Sequence, residues 1–237
     1  MPYRRLPNTD NARIKALRTA IERHNSIFGQ GIITLEIHNL ELMLRNFEGA
    51  YVRYKNSLDT QASANKKFQK LIKNARLYVS HFIQVLNFCV IRSEIKKETK
   101  QLYGIEPDNF TVPDLTSNDS LLYWGENVIN GERARIRQGG APIYNPAIAR
   151  VNVAFSQFRD AYFAQKTHRN TTARELENLS MQRQGIDNTL TALWNQVEAA
   201  FANFPLKERL ERSKEYGVVY YLRREEREKT DLQDEDN

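Results

Sequence analysis

Four histidines, one cysteine and a scatter of carboxylates and arginines are the side chains of this 237-residue chain that could carry chemistry. A di-iron centre in a helical bundle needs inward carboxylates together with Glu-x-x-His pairs on facing helices. The residues three positions before His24, His38, His81 and His168 are Ile21, Leu35, Tyr78 and Gln165, so that pair does not occur. No two histidines are close in sequence and Cys89 has no second cysteine, which excludes a thiolate zinc cluster; no metal is expected. The phosphate-cradling patterns G-x-x-x-x-G-K and G-x-G-x-x-G are absent, as is the G-x-S-x-G of a nucleophile elbow. Cys89 falls on an apolar helical seam, where a free thiol packs as a small core residue; a reactive thiol needs an exposed, electropositive setting. His81 and His168 could act as bases, but neither has a nucleophile partner visible in sequence. No catalytic residue and no cofactor is therefore expected, and the chain reads as non-enzymatic.

Two basic segments remain. Arg133, Arg135 and Arg137 alternate ahead of Gly139-Gly140, with Trp124 and Tyr144 nearby. After Pro205 come Lys207, Arg209, Arg212 and Lys214, then Tyr216 to Leu222, then Arg223 and Arg224. Arginines interleaved with aromatics suit phosphate contact and base stacking, which makes Arg133, Arg135, Arg137, Arg223 and Arg224 the candidate polyanion-binding residues. Glu208, Glu211, Glu215, Glu225, Glu226 and Glu228 weaken the field of the second segment. An amphipathic helix laced by opposite charges explains that stretch at least as well. Val218 to Leu222 is alternatively a short strand beside Pro2 to Leu6.

The totals set the frame for these residues. Charged residues make up 27% and hydrophobic ones 41%, with 10 Gly and 7 Pro, a helix-rich and surface-charged composition. A single cysteine excludes an internal disulfide framework and fits a reducing compartment. Arg4 and Arg5 are followed by no apolar run, and the most apolar window, His81 to Ile91, is too short and too polar to span a bilayer. The expectation is a cytoplasmic protein with no membrane partner. The net charge is +6 and unevenly placed: the first thirty residues and the stretch after Pro205 are rich in Arg and Lys. Residues 230–237 hold four acids and no base, and are expected to be a disordered tail.

Periodicity then supplies the elements. Asn8 to Asp10 suit the start of a helix bearing Ile14, Leu17, Ile21 and Ile27, which Gly29 and Gly31 end. Ile37, Leu40, Leu44, Phe47, Tyr51 and Tyr54 recur at steps of three and four, and polar residues from Asn56 to Lys67 interrupt this stripe. Phe68, Ile72, Ala75, Val79, Phe82, Leu86 and Cys89 follow as a seven-residue repeat. A connector from Ile105 to Leu115 leads to a cap at Ser117 to Asp119 and a helix with Leu122, Trp124, Val128 and Ile136, which Gly125 and Gly131 weaken. Asn145-Pro146 reads as a cap with proline in the first helical position. Ile148, Val151, Phe155, Phe158 and Tyr162 form the next stripe. Thr172 and Glu175 have capping-box spacing ahead of Leu176, Leu179, Ile186, Leu190, Leu193, Val197 and Phe201.

An offset of 111 residues superimposes the two halves without a gap. Ile37 meets Ile148, Leu40 meets Val151, Phe47 meets Phe158, Tyr51 meets Tyr162 and Lys55 meets Lys166, so F-x-x-A-Y-x-x-x-K occurs twice. Beyond the polar stretch Phe68 meets Leu179, Val79 meets Leu190, Phe82 meets Leu193 and Leu86 meets Val197. Two amphipathic helices can always be slid into phase; a second pair agreeing at the same offset is what a duplication predicts. In this register Arg183 stands where Ile72 stands in the other seam. Its aliphatic stem would cover apolar surface at a frayed end, or the side chain would be a buried functional arginine.

The opening Met1-Pro2-Tyr3-Arg4-Arg5-Leu6-Pro7-Asn8-Thr9-Asp10, with Ala12-Arg13 and Ala16-Leu17 behind it, resembles the start of an uncharacterised family of bacterial all-helical proteins. The resemblance implies a bacterial origin and transfers no functional residue. The expected fold is all-α: an elongated four-helix bundle made of two duplicated long helical hairpins, with additional short helices. It forms a single domain over 1–229, with pseudo-repeats at 9–103 and 117–204 and an extension at 205–229. The expected function is protein–protein interaction or self-association, with a protein partner or a second copy of the chain as ligand. Nucleic-acid or phosphate-ligand binding through Arg133 to Arg137 and Lys207 to Arg224 is the alternative.

Overall fold

The apolar stripes of the sequence become helices in a computed structural model, which describes residues 3–26, 32–33 and 37–221. In chain order the elements are β1 (Tyr3–Arg4), α1 (Asp10–Ser26), α2 (Ile37–Ile91), a 3-10 helix (Lys97–Tyr103), α3 (Asn118–Arg137), α4 (Ile148–Ala200), α5 (Leu206–Glu215) and β2 (Tyr220–Tyr221). The fold is all-α, as the periodicity predicts. Among the described residues no helix is long and apolar enough to cross a membrane.

Local chemistry sets the helix starts. The Thr9 hydroxyl accepts from the Ala12 N–H at 3.2 Å and opens α1, whose Ile14, Leu17 and Ile21 are buried. Ile27, Gly29 and Gly31 lie outside the described residues, as does the acidic stretch 230–237. Ser117 accepts from the Ser120 N–H at 3.0 Å and opens α3. Pro146 is not the first residue of α4. Tyr144 pairs with Ala147 across a tight turn, and the helix begins at Ile148.

The expected hairpins are a correction. Residues 56–67 and 163–178 carry no turn; α2 is one helix of 55 residues and α4 one of 53. Neither stretch contains a glycine or proline. Their Asn, Ser, Thr and Asp residues each cost a helix only about 0.5 kcal/mol relative to alanine, which propagation from both sides overrides. Thr172 is thus mid-helix, its hydroxyl facing the His168 carbonyl at 3.0 Å and the Ser57 carbonyl at 3.3 Å. Glu175 caps nothing and pairs instead with Arg53 at 3.5 Å.

The chain divides into two compact units, the first drawn from residues 1–56 and 173–237, the second from 57–172. Neither pseudo-repeat segment coincides with a unit, because α2 and α4 each give one part to either. In the first unit Leu17, Ala20 and Ile21 of α1, Leu40, Phe47 and Ala50 of α2, and Leu179, Ile186, Leu190 and Trp194 of α4 share one core. The second gathers Phe68, Val79, Phe82 and Leu86 of α2, Leu121, Val128 and Ile129 of α3, and Val151, Phe155 and Phe158 of α4. Phe47 and Phe158 are both buried, as are Leu190 with Val79 and Leu193 with Phe82.

Helix α3 presents Leu121, Val128 and Ile129 to the core: Val128 as expected, whereas Leu122, Trp124 and Ile136 are only partly buried. Its glycines are close-approach points rather than weaknesses. A Cβ on Gly125 would stand 2.3 Å from the Phe155 ring, and one on Gly131 2.6 Å from the Tyr103 ring.

Arg183 is neither frayed nor buried alone. Its guanidinium makes a two-pronged pair with Asp10, both contacts 2.8 Å, and Arg13 grips Asp187 the same way at 2.8 and 2.9 Å. These reciprocal forks join α1 to α4 within the first unit.

Both alternatives for the C-terminal segment hold, on successive parts. Helix α5 carries the Glu208–Arg212 pair at 2.6 Å, four residues apart. Tyr220–Tyr221 then runs antiparallel to Tyr3–Arg4, with Tyr3 opposite Tyr221. Gly217, at φ +79°, makes the turn between them, and a Cβ there would meet the Ala16 carbonyl oxygen at 2.8 Å.

Candidate functional site

Alternate residues of a helix point to opposite sides. Arg133 and Arg137 are accordingly exposed on α3, while Arg135 between them is buried. Arg223 and Arg224 lie outside the described residues. Of the expected aromatic companions, Trp124 packs partly against the core and Tyr144 stands 84% exposed.

Arg135 belongs to a buried polar cluster. Glu132, three residues earlier and fully inaccessible, accepts from Arg135 Nε and Nη2, both at 2.8 Å, from the Tyr103 hydroxyl at 2.5 Å and from the Ile143 N–H at 3.1 Å. Arg135 Nη2 also donates to the Ala141 carbonyl at 2.7 Å. Burial pushes the Glu132 carboxyl up, but the hydrogen bonds from Arg135, Tyr103 and Ile143 outweigh it and hold the group below its ordinary range. Burial, reinforced by Glu132, pushes the Tyr103 hydroxyl far up, so it stays protonated. The cluster ties α3 to the 3-10 helix and to the Gly139–Ile143 loop. Arg135's charge is thereby committed inside the protein.

A cavity of about 670 Å³ adjoins this cluster, lined by Cys89, Arg92, Glu94, Arg135, Gly139, Gly140 and Tyr144 among others. Burial, helped by Glu94, raises the Cys89 thiol, so it is not an activated thiolate. Arg92 pairs with Glu94 at 2.8 Å. Among the described residues no group of three or more histidines, cysteines or carboxylates could hold a metal ion. Sequence reasoning missed Glu132 and Tyr103; the only signal was Glu132 at i,i+3 from Arg135. It also missed Lys100, fully buried, whose ammonium donates to the Asn109 carbonyl and sits 4.0 Å from the centre of the Phe110 ring. Burial lowers its pKa.

Each unit also carries a groove between α2 and α4. In the first, Asn39, Leu42, Met43 and Asn46 of α2 face Met181, Gln182, Gly185 and Ile186 of α4 around about 660 Å³. In the second, Ala149, Arg150, Val153, Ala154 and Gln157 of α4 face Asn74 and Tyr78 of α2 around about 360 Å³. The offset of 111 residues carries Asn39, Leu42, Met43 and Asn46 onto Arg150, Val153, Ala154 and Gln157, and Asn74 onto Gly185. Leu42 is 46% exposed, Val153 57% and Met181 68%. Among the described residues neither groove has a carboxylate in its lining, whereas Arg45 and Arg53 border the first and Arg150 the second.

No family model, no curated protein and no solved structure matches the chain.

Proposed function

We propose that the protein is a non-enzymatic, internally duplicated helical scaffold that binds amphipathic helices of a protein partner or of a second copy of itself. The observation that carries this is the pair of grooves at corresponding sequence positions, each floored by core residues and bordered by solvent-facing Leu42 or Val153. An exposed apolar side chain beside a concave wall is an anchor point for a helix laid into a groove. Arg45 beside the first groove and Arg150 beside the second favour a guest helix with carboxylates flanking its apolar stripe. The matching burial of Phe47 with Phe158 and of Val79 with Leu190 supports the duplication. With a lone cysteine, a reducing, cytoplasmic setting belongs to the same proposal.

The test is a photo-crosslinking side chain placed at Leu42 and, separately, at Val153. Both positions are expected to capture the same polypeptide, and excess L42D/V153D protein is expected not to compete for it. Adducts no different from those formed at exposed Glu177 would end the proposal.

Polyanion binding is the second function we propose. It is favoured by Arg133 and Arg137, exposed one turn apart on α3 with no carboxylate partner among the described residues. A gel shift of a nucleic acid that weakens steeply with salt would support it, and protein that shifts none at low salt would remove it.

A further inference from the structure

We infer that the cleft where the N- and C-terminal segments meet binds a small organic anion, a phosphate or carboxylate carried on an apolar body. This site is separate from the grooves and does not depend on their function. The chain enters through β1, passes Leu6 to Thr9 into α1, and is met by the end of α5 and the turn into β2. The Arg5 N–H donates to the Val219 carbonyl at 3.1 Å, and Gly217 lies against Ala16, so the two segments are fixed to each other.

Between them is a cleft of about 590 Å³. That volume falls within the range of roughly 300–1,000 Å³ typical of small-ligand pockets. Three cations from three separate parts of the chain line it: Arg5 after β1, Lys15 on α1 and Lys214 on α5. Among the described residues its lining contains no carboxylate. This is unexpected locally, because α5 is otherwise laced with glutamates, and one of them, Glu215, turns away to Arg23 at 2.5 Å. Neither Lys15 nor Lys214 has an ion-pair partner among the described residues. Three like charges gathered round one concavity repel each other unless an anion joins them, so the arrangement favours a negatively charged guest.

The rest of the lining sets the guest's other end. Leu6, Val218 and Tyr221 supply apolar and aromatic surface, and the Arg5 guanidinium lies 5.2 Å from the centre of the Tyr221 ring. A bare inorganic ion would use the cations alone. An anion with a ring or short hydrocarbon body would use both.

Isothermal titration of the full chain with phenyl phosphate, and separately with inorganic phosphate, tests this. Phenyl phosphate is expected to bind at one site per chain and more tightly than inorganic phosphate. The K15E/K214E variant, altered only at exposed side chains, is expected to bind about tenfold more weakly or worse, from the loss of two charge-assisted contacts. K66E/K70E, with the same change in net charge at exposed positions of α2 outside the cleft, is expected to bind as the unaltered chain does. Equal weakening in both variants, unchanged binding in K15E/K214E with its circular dichroism intact, or equal affinity for the two phosphates would each overturn the inference.

Discussion

Replacing Arg135 with methionine isolates what holds Glu132 inside the protein. The substitution keeps the aliphatic stem and removes both 2.8 Å contacts to a carboxylate with no accessible surface. Only the Tyr103 hydroxyl and the Ile143 N–H then remain for an uncompensated buried charge. Breaking such a pair from one side costs about 3–5 kcal/mol, a large part of a typical stability of roughly 5–15 kcal/mol. Removing both partners, as in E132L/R135M, is expected to return the protein to within about 1–2 kcal/mol of its starting stability. The pH dependence separates this account from simple loss of packing. In the unaltered protein the Glu132 carboxyl is held below its ordinary value, so its stabilisation is fully present above the unfolded value of about 4.3 and is lost as pH falls through the folded one. Stability from this group is therefore flat between about pH 5 and 8. Without Arg135, burial dominates and raises the carboxyl above the unfolded value; the folded state then takes up the proton first, and R135M gains stability as pH is lowered across that window. Urea unfolding followed by far-ultraviolet circular dichroism measures both quantities. An R135M variant within about 1 kcal/mol of the unaltered protein, or one with a flat profile, would refute the reasoning.

Glycine positions are expected to divide by their surroundings. G125A should cost about 1–3 kcal/mol or more, since its Cβ would be driven into Phe155, whereas G185A, on an exposed turn of α4 with nothing within 4 Å, should gain about 0.5–1 kcal/mol; thermal melts distinguish them. F47A and F158A should each cost about 3–5 kcal/mol in chemical unfolding, and a surface-like cost at either would contradict their burial. S63P should destabilise by about 3 kcal/mol or more because residue 63 is inside α2; a hairpin turn there would tolerate proline, so an unchanged melt would restore the turn.

The apolar face was legible because burial requires a period. Phe68, Ile72, Ala75, Val79, Phe82 and Leu86 occur at helical spacing and all are buried. Helix continuity was not legible. A polar stretch such as Asn56 to Lys67 reads as a turn when only hydrophobic contrast is counted, yet backbone hydrogen bonding proceeds through it in the absence of a breaker. The site was legible only in part. Arg135 stood out by composition, but its role is set by Glu132 and by Tyr103, which arrives from a separate segment. The grooves and the basic cleft depend on pairs such as Leu42 with Met181 and Lys15 with Lys214, whose distance along the chain hides their proximity in space.

The division of α2 and α4 between the two cores has a consequence for how the protein comes into being. Residues 57–172 are one uninterrupted stretch, while the other unit draws on residues both before and after it. As the chain leaves the ribosome, its first fifty-six residues emerge with half of their core still unsynthesised, and Leu40 and Phe47 must wait for Leu179 and Leu190. The middle of the protein can mature during translation; the basic cleft, built from residues on both sides of that stretch, is completed only after the middle has been made.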